Sequence, residues 1–498
     1  MPPAIPLPSI DFNTIVPEII VTLLAIVVVL GDLFLPKGRK GVLTWVSAVG
    51  YFLALAACFL YFVNPDMPLT SFSGMIVLDK LGLWFRVLAL LSALIGVVFA
   101  ANYIEEKGMP LGDFYSVLAL ATLGIMVVAA SQDLTGVFVG IELSSIATYI
   151  MTGFARNNRM SNEGALKYFL LGTFATAILV YGMAWLYGMT GTTNIPLIAT
   201  QVRGLVASGA AGQGGLLLAT LLIVAGLGFK VAAVPFHMWT PDAYQGAPTS
   251  VTAFMASATK IAALVVTYRV LTTAFPHDQH LWRVAIAVIA IVSLAWGNIA
   301  ALVQRNVKRI LAYSSVSHAG FMLIAVAAAN PLGARALLYY LVPYAAMSLG
   351  AFGVVAARER ELRRPVTLQN LAGFGWERPF LGVAMWVFML GMLGFPLTGG
   401  FIGKFYVFAA AYDHGYWWLI VAGVIATMIS AYYYLGIVRA MYFRDTAELR
   451  LAPAGGSPPQ DLLLTSGVFI SLVVTVGSFF AVQPLIDVAH SAANALPF

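Results

Sequence analysis

Apolar windows of about 20 residues recur along this 498-residue chain from one end to the other. A helix of about that length crosses the ~30 Å hydrocarbon core of a bilayer. Only 10% of the residues are charged, whereas a soluble domain carries about 25%. The ~10-residue alternation typical of transmembrane β-barrels is not visible. The sequence therefore predicts an all-α polytopic membrane protein.

The polar segments between the apolar windows predict about fourteen transmembrane helices. The first seven lie near residues 16–35, 43–63, 79–103, 111–130, 133–155, 162–188 and 215–235. The other seven lie near residues 249–274, 281–303, 307–328, 332–357, 379–411, 416–443 and 461–485. The Gly/Ala/Thr-rich stretch at about 189–214 is expected to be a surface loop.

Lysine and arginine are distributed unequally between alternate connections of these helices. If the N-terminus faces outward, the cytoplasmic connections hold KGRK (37–40), QRNVKR (304–309) and RERELRR (358–364). This asymmetry follows the positive-inside rule. We therefore expect both termini on the outer side of the membrane. The rule also accounts for the net charge of +6 without a nucleic-acid partner.

Two of the predicted helices are interrupted by proline. Pro235 lies in the seventh helix and Pro396 in the twelfth, and a lysine is close to each. A five-helix unit repeated in tandem must be inverted, because an odd number of crossings reverses its direction. Paired broken helices in inverted halves indicate the mid-membrane pathway of a transporter. The single membrane domain is thus predicted to comprise three N-terminal helices (1–108), a first five-helix repeat (109–275), a second, inverted repeat (276–446) and a C-terminal helix (447–498).

Five ionisable residues lie deep within the predicted helices: Glu142, Lys167, Lys230, Lys260 and Lys404. Charges at such depth cost roughly 2.5–3.5 kcal/mol each on insertion scales and usually have a function. Lysine suits proton carriage because burial favours its neutral form and a nearby carboxylate favours its charged form. The carbonyl freed by a proline can bind water where it lines a cavity. Several such groups in series predict a proton pathway.

The neighbours of these residues refine the prediction. Glu142, Ser145 and Tyr149 share one helical face, so the carboxylate is expected to face the bundle beside hydroxyl groups. Lys260 follows a small-residue turn that lets another helix approach closely. A further polar residue, His318, follows a serine pair on its own helix.

Structural roles stay open for some of these residues. Lys167 could extend its side chain to the cytoplasmic surface. Glu142 could be only an ion-pair partner, and His318 could be a satisfied polar core residue. Extension of the side chain to the membrane surface does not account for Lys230 and Lys260, because both are predicted to lie well away from the helix ends.

Nucleotide, metal and redox sites are not predicted in this chain. GGFIGKF (399–405) differs from a phosphate loop, because Thr398 replaces its first glycine and Phe405 replaces its magnesium-binding hydroxyl residue. The single cysteine, Cys58, cannot provide the four protein ligands of an iron–sulfur cluster. No histidine and cysteine set has the spacing of a metal site.

The segment GFKVAAVPFHMWTPDAYQGAPTSVTAFMASATK (228–260) closely resembles the signature of the subunit N family of bacterial proton-translocating NADH–quinone oxidoreductase, respiratory complex I. The resemblance covers nearly the whole chain. Four further segments fit this family in the same order: GIELSSIATYI (140–150), EGALKYFLLGTFATAI (163–178), QRNVKRILAYSSVSHAGFML (304–323) and GFPLTGGFIGKFYVF (394–408).

The resemblance implies a fourteen-helix antiporter-like fold of two inverted five-helix units. Glu142 and Lys167 are similar to the carboxylate–lysine pair of the first half. Lys230 is similar to the lysine of the first broken helix, with His237 just beyond it. Residues 237–248 are expected to form the connecting loop.

The second half is matched in the same way. Lys260 and His318 are similar to the central connecting residues, and Lys404 to the terminal lysine of the second broken helix. A lysine at 404 favours subunit N over its sister subunit M, which has a glutamate there. Gln245 departs from the family pattern, which has a glutamate at that position. We call the seven matched residues (Glu142, Lys167, Lys230, His237, Lys260, His318 and Lys404) the relay residues.

The predicted function is proton translocation through the relay residues, coupled to electron transfer to quinone. The chain would then be a subunit of an NADH:quinone oxidoreductase, without redox chemistry of its own. NADH, FMN, iron–sulfur clusters and quinone are expected on other subunits. Expected partners are the other membrane subunits, including antiporter-like sister subunits, and the lipid bilayer. Two alternatives are a membrane subunit of a multisubunit sodium/proton antiporter and a purely structural membrane subunit.

Overall fold

A computed structural model describes residues 10–63, 67–207, 213–276, 278–443 and 461–494. Within these ranges, 13 helices are long and apolar enough to cross a membrane. Another predicted crossing, near 379–411, is made of two shorter helices separated by a break at Pro396. The chain is therefore a multi-pass helical membrane protein, as predicted.

Eight α-helices precede the first break within the described ranges, and all of them except α7 lie close to their predicted positions. They are α1 (Val16–Phe34), α2 (Val42–Phe62), α3 (Lys80–Glu106), α4 (Leu111–Ala130), α5 (Leu134–Thr152), α6 (Arg159–Thr190), α7 (Ile195–Ala207) and α8 (Gln213–Val231). A short antiparallel hairpin, β1 (Leu69–Ser71) and β2 (Ile76–Leu78), lies between α2 and α3 and was not predicted.

Twelve α-helices follow the first break within the described ranges. They are α9 (Trp239–Gly246), α10 (Thr249–Phe254), α11 (Lys260–Ala274), α12 (Arg283–Leu302), α13 (Val307–Ala328), α14 (Pro331–Leu362), α15 (Phe374–Glu377), α16 (Pro379–Leu393), α17 (Gly399–Asp413), α18 (Trp417–Phe443), α19 (Leu462–Phe480) and α20 (Val482–Ala493). A π-helical turn, Met255–Thr259, joins α10 and α11 into one continuous crossing. Single 3₁₀ turns lie at Phe12–Ile15, Lys37–Arg39, Phe72–Gly74 and Gln279–Leu281.

Two segments predicted as loops are helical. The predicted loop at about 189–214 contains α7, which buries Ile195, Ile198 and Val202 along one face. This spacing gives a narrow apolar stripe against the bundle, in a helix too short to be recognised as a crossing. The predicted connecting loop at 237–248 contains α9, with Trp239 and Tyr244 buried.

Both predicted proline interruptions are present. α8 ends at Val231, Ala232 takes a left-handed conformation with a φ of 62°, and α9 begins seven residues later. α16 ends at Leu393, and Gly394 follows with a φ of 88°. A left-handed residue directly after the last helical one is a common helix ending that favours glycine. The chain thus leaves helical geometry twice within the bundle.

The buried interior is centred on three crossings. In the most apolar window of each, 94% of residues are buried for Thr249–Ala274, 94% for Val307–Ala328 and 89% for Pro331–Leu362. The same share is 33% for α18 and α19, which present large apolar side chains outward. Outward apolar faces suit a lipid environment. Polar groups on the three central crossings are therefore enclosed by protein.

Candidate functional site

Lys230 lies in the last turn of α8, and its side chain is only 10% exposed. Its Nζ donates a hydrogen bond to Ser145 Oγ at 2.7 Å and lies 3.6 Å from Glu142 Oε1. The prediction that Lys230 is far from a helix end is wrong, because the break at Pro235 places a helix end inside the bundle. The carbonyl end of a helix carries partial negative charge, which favours an ammonium group there.

Two backbone groups at the break beside Lys230 form hydrogen bonds with side chains. The carbonyl of Phe229 accepts a hydrogen bond from Trp239 Nε1 at 3.2 Å. The amide of Val234 donates to Ser293 Oγ on α12 at 2.9 Å. The indole and the hydroxyl therefore fix the two sides of the break in place.

A small cavity adjoins Lys230. It measures about 30 Å³, and its polar lining includes Ser144, Ser145, Tyr168, Lys230 and Thr259. A site needs about 10–15 Å³ and several polar partners to hold one water. The cavity therefore has space for water between Lys230 and the π-helical turn that precedes Lys260.

Glu142 pairs with a different lysine from the predicted one. Its Oε1 accepts a hydrogen bond from Thr176 on α6 at 2.7 Å and lies near Lys230. Lys167 instead forms ion pairs with Glu163 at 2.7 Å and Asp242 at 2.8 Å. Thr176 lies nine residues after Lys167 on α6, which is about 13 Å along a helix axis. The predicted Glu142–Lys167 pair is therefore wrong as a direct contact.

Asp242 on α9 connects α6 with α13. One of its oxygens contacts Lys167, and the other accepts a hydrogen bond from Arg309 Nη1 on α13 at 2.6 Å. Arg309 also donates to Gln245 Oε1 at 3.2 Å. Burial raises the pKa of Asp242, but hydrogen bonds from Lys167 and Arg309 outweigh burial and lower the pKa below its usual value. The carboxylate is therefore ionised at neutral pH.

His237 lies between the two helices of the first break and is 7% exposed. Its ring packs near Trp296 and Tyr313, with centroids 6.3 and 6.4 Å away. Its Nδ1 has no hydrogen-bond partner within the described ranges. The structure therefore places His237 among aromatic rings, without a hydrogen bond to another relay residue among the described contacts.

Lys260 lies at the end of the π-helical turn and is 1% exposed. Its Nζ donates a hydrogen bond to the backbone carbonyl of Ser315 on α13 at 2.5 Å. None of the ion pairs found among the described residues includes Lys260. Single π turns often occur at functional positions. Its ammonium group is thus held by a neutral partner in the centre of the bundle.

His318 lies one turn after Ser315 on α13, and its ring is enclosed by tyrosines. Its Nδ1 is 2.8 Å from the Tyr340 hydroxyl, and its Nε2 is 3.0 Å from the Tyr434 hydroxyl. Tyr344 donates a hydrogen bond to Ser315 Oγ at 3.1 Å. His318 is therefore a fully hydrogen-bonded imidazole within a row of hydroxyl groups.

Lys404 on α17 is 5% exposed. Its Nζ donates a hydrogen bond to the carbonyl of Leu393, the last residue of α16, at 2.9 Å. The same atom lies 4.3 Å from the centre of the Phe321 ring, a cation–π distance. The second break therefore also holds a lysine at an interior helix end.

Residues 131–430 match the family described as NADH:quinone oxidoreductase/Mrp antiporter, TM. The chain belongs to this family. The matched segment runs from the start of α5 into α18 and contains all seven relay residues. In this chain, Asp242 and Gln245 both accept hydrogen bonds from Arg309, so the glutamine joins a hydrogen-bonded ion cluster.

Relatives of this family member resemble it over most of its length. NADH-quinone oxidoreductase subunit N of Trichlorobacter lovleyi is 40% identical over 440 residues, covering 88% of this chain and 89% of the relative. NADH-quinone oxidoreductase subunit N of Rhodospirillum rubrum is 37% identical over 494 residues, covering 98% of each. Both relatives are thus full-length or nearly full-length counterparts.

Two solved structures have the same fold. A chain of respiratory complex I from Thermus thermophilus is 33% identical, with a TM-score of 0.77, over 94% of this chain and 98% of that one. A chain of the Mrp complex from Dietzia sp. DQ12-45-1b has a TM-score of 0.83 at 22% identity, over 98% of this chain and 97% of that one. The second match shows that the fold is shared.

Several polar side chains around the relay residues were not predicted. They include Thr176, Asp242, Tyr340, Tyr344 and Tyr434. Tyrosine and threonine occur widely in apolar helices, so their presence alone gives no signal. Asp242 does give one, since a carboxylate is costly within an otherwise apolar segment.

Proposed function

We propose that this chain is a proton-translocating membrane subunit of an NADH–quinone oxidoreductase. The observation that carries the proposal is a series of buried polar groups within the membrane region, with one lysine at each helix break. The first part is Glu142 with Lys230, and the second is Lys260, His318 and Lys404. The subunit N relatives at 37% and 40% identity support the same function.

The contacts of Lys230 suggest how protons are exchanged. The ammonium group already donates to Ser145, and Glu142 lies at 3.6 Å, slightly beyond hydrogen-bond distance. A shorter Glu142–Lys230 distance would favour the charged lysine, and a longer one would favour its neutral form. Lys230 can therefore release a proton when Glu142 moves away, and the adjacent cavity offers space for water to accept it.

Other parts of the proposal concern the complex around this chain. Its partners are the other membrane subunits, as in the multisubunit complexes that contain its structural relatives. We place NADH, FMN, iron–sulfur clusters and quinone on other subunits. We also propose that residues 109–275 and 276–446 are inverted repeats, and that both termini face the periplasm of a bacterial inner membrane.

The test is the proton-to-electron ratio of the whole complex, reconstituted with Glu142→Gln, with Lys230→Met, or with both. We expect both single variants to lower proton pumping and coupled electron transfer, and the double variant to be no worse than the more affected single one. Asp32→Asn is the matched control, because this carboxylate pairs with Lys40 and contacts none of the relay residues. Full pumping by a fully assembled double variant would contradict the proposal.

A sodium/proton antiporter subunit is the second candidate, because the family description includes the Mrp antiporter. The two functions differ in the need for redox partners. Proton flux driven by a sodium gradient, in vesicles that contain no oxidoreductase subunits, would favour the antiporter. Pumping that requires an electron donor and quinone would favour the oxidoreductase.

A further inference from the structure

The imidazole of His318 is held between two tyrosine hydroxyls that come from different helices. Tyr340 on α14 lies 2.8 Å from Nδ1, and Tyr434 on α18 lies 3.0 Å from Nε2. All three side chains are at most 2% exposed. Both ring nitrogens are therefore occupied by groups that can each donate and accept a proton.

Tyr434 continues the row on one side. Its hydroxyl is 2.5 Å from Ser314 Oγ, which lies one turn before His318 on α13. The next residue, Ser315, accepts the hydrogen bond from Lys260 through its carbonyl. This end of the row therefore lies on the same turn of α13 that contacts Lys260.

Tyr340 continues the row on the other side. Its ring occupies the space that a Cβ atom at Gly403 would need, so α14 and α17 approach closely there. Gly403 directly precedes Lys404 in α17. This end of the row therefore contacts the residue that directly precedes Lys404.

We propose that Tyr340 and Tyr434 are proton-transfer residues on either side of His318. The hydroxyl row is Ser314, Tyr434, His318 and Tyr340, and it provides a path between the surroundings of Lys260 and those of Lys404. This inference rests on the proposed function, and it adds a route to the relay residues that the ionisable groups alone do not supply.

One transfer along the row conserves protons at every group. The Ser314 hydroxyl proton moves to the Tyr434 oxygen and is replaced by a proton from the side of Lys260, while the original Tyr434 proton moves to Nε2 of His318. The proton on Nδ1 then moves to the Tyr340 oxygen, and Tyr340 releases its own proton toward the neutral amine form of Lys404, which becomes an ammonium group. Each tyrosine stays neutral, and the imidazole ends in its other tautomer. Reorientation of the ring and the hydroxyls must reset the row before the next proton.

Other buried tyrosines offer matched controls for this proposal. Tyr115 on α4 is also buried, but its hydroxyl lies 2.9 Å from Thr44 Oγ1. Tyr339 is buried too, and its hydroxyl donates to the Ser478 carbonyl at 2.7 Å. Tyr115→Phe and Tyr339→Phe therefore remove one buried hydroxyl each without touching His318 or the other members of the row.

The experiment measures proton pumping by the whole complex in proteoliposomes, with native gels to confirm equal assembly. Tyr340→Phe and Tyr434→Phe should each lower the rate of coupled proton translocation at least about tenfold, as expected for loss of a proton-transfer group. The two controls should pump nearly normally. The double variant Tyr340→Phe/Tyr434→Phe should be no worse than the more affected single one, since both act in one row.

Two outcomes would overturn the inference. One is that assembled Tyr340→Phe and Tyr434→Phe complexes pump as well as their controls. The other is that the controls lose as much activity, which would indicate a packing effect. If Tyr434→Phe fails to assemble, Ser314→Ala interrupts the same row without changing a ring and must also lower pumping. Failure of the proposed function is distinguishable, because Lys230→Met would then pump normally.

Discussion

Lys404 donates a hydrogen bond to the carbonyl of Leu393, 2.9 Å away on the opposite side of the second helix break. Leu393 ends α16, where the last carbonyl groups of a helix have no partner within the helix. Lys230 lies at the corresponding end of α8 at the first break. Each break thus has a lysine close to a buried helix C-terminus, where partial negative charge favours a cation.

This geometry predicts that arginine cannot replace Lys404. Lys404→Arg keeps a positive charge that can donate to Leu393, but a guanidinium group does not release a proton in proteins. Lys404→Met removes both the charge and the hydrogen bond. We expect both variants to lose proton pumping in the assembled complex, measured as the proton-to-electron ratio. If Lys404 only caps the helix, Lys404→Arg will pump normally while Lys404→Met fails.

Asp242→Asn should weaken the link between α6 and α13, because Asp242 pairs with both Lys167 and Arg309. The pKa of Asp242 is lowered, so its contribution to stability is present above the usual carboxyl pKa and is lost as pH falls through the lower native value. The loss of stability should therefore be constant between about pH 6 and pH 8. Thermal unfolding of the purified complex at several pH values measures this loss of stability.

Glu163→Gln is the matched control for Asp242→Asn. Glu163 also contacts Lys167, but its ion pair is an exposed i, i+4 pair on α6 and does not reach Arg309. Exposed pairs of this kind contribute little. Equal destabilisation by Glu163→Gln and Asp242→Asn would show that the connection to Arg309 has no role.

The positions of the lysines and of the helix breaks could be predicted from sequence. A buried charge and a helix-breaking proline each have a large free-energy cost that depends only on the local segment. Lys260 and Lys404 are visible as charges in apolar windows, and Pro235 and Pro396 are visible as residues that end helices. None of these signals depends on which helices are neighbours. The same holds for the long crossings, which are recognised by length and hydropathy.

The pairs of polar side chains that contact each other could not be predicted from sequence, because the pairing depends on how the helices pack. Glu142 meets Lys230 instead of Lys167, since the α5–α6 contact brings Thr176 to the carboxylate and leaves Lys167 more than two turns away. The tyrosines around His318 were missed for a similar reason. Their hydroxyls acquire a role only where α13, α14 and α18 meet.

A buried ion pair in the N-terminal helices should be essential for stability. Arg86 Nε donates to Glu18 Oε1 at 2.7 Å, and the two side chains are 0% and 7% exposed. Glu18→Ala leaves the guanidinium group buried without its carboxylate, at a cost of about 3–5 kcal/mol. We expect a lower unfolding temperature and less assembled complex.

Two further variants separate charge from packing at this pair. Glu18→Leu/Arg86→Met removes both charges and should recover part of the stability lost in Glu18→Ala. Asp32→Asn breaks the more exposed pair of Asp32 with Lys40 and should cost at most about 1 kcal/mol. If Glu18→Ala is no more damaging than Asp32→Asn, the buried pair is not a stabilising feature.

Gly400→Ala should disturb the second break more than any other single methyl group we can place there. A Cβ atom at Gly400 would overlap the backbone carbonyl of Gly391, which cannot rotate away as a side chain can. α17 must then shift relative to α16, which moves Lys404 away from Leu393. We therefore expect proton pumping to fall, with some loss of stability, as measured by the proton-to-electron ratio and the unfolding temperature.

Gly436→Ala in α18 is the control, because a Cβ there meets nothing within 4 Å in this chain. Equal behaviour of the two alanine variants would show that the α16–α17 contact does not hold Lys404 in a working position.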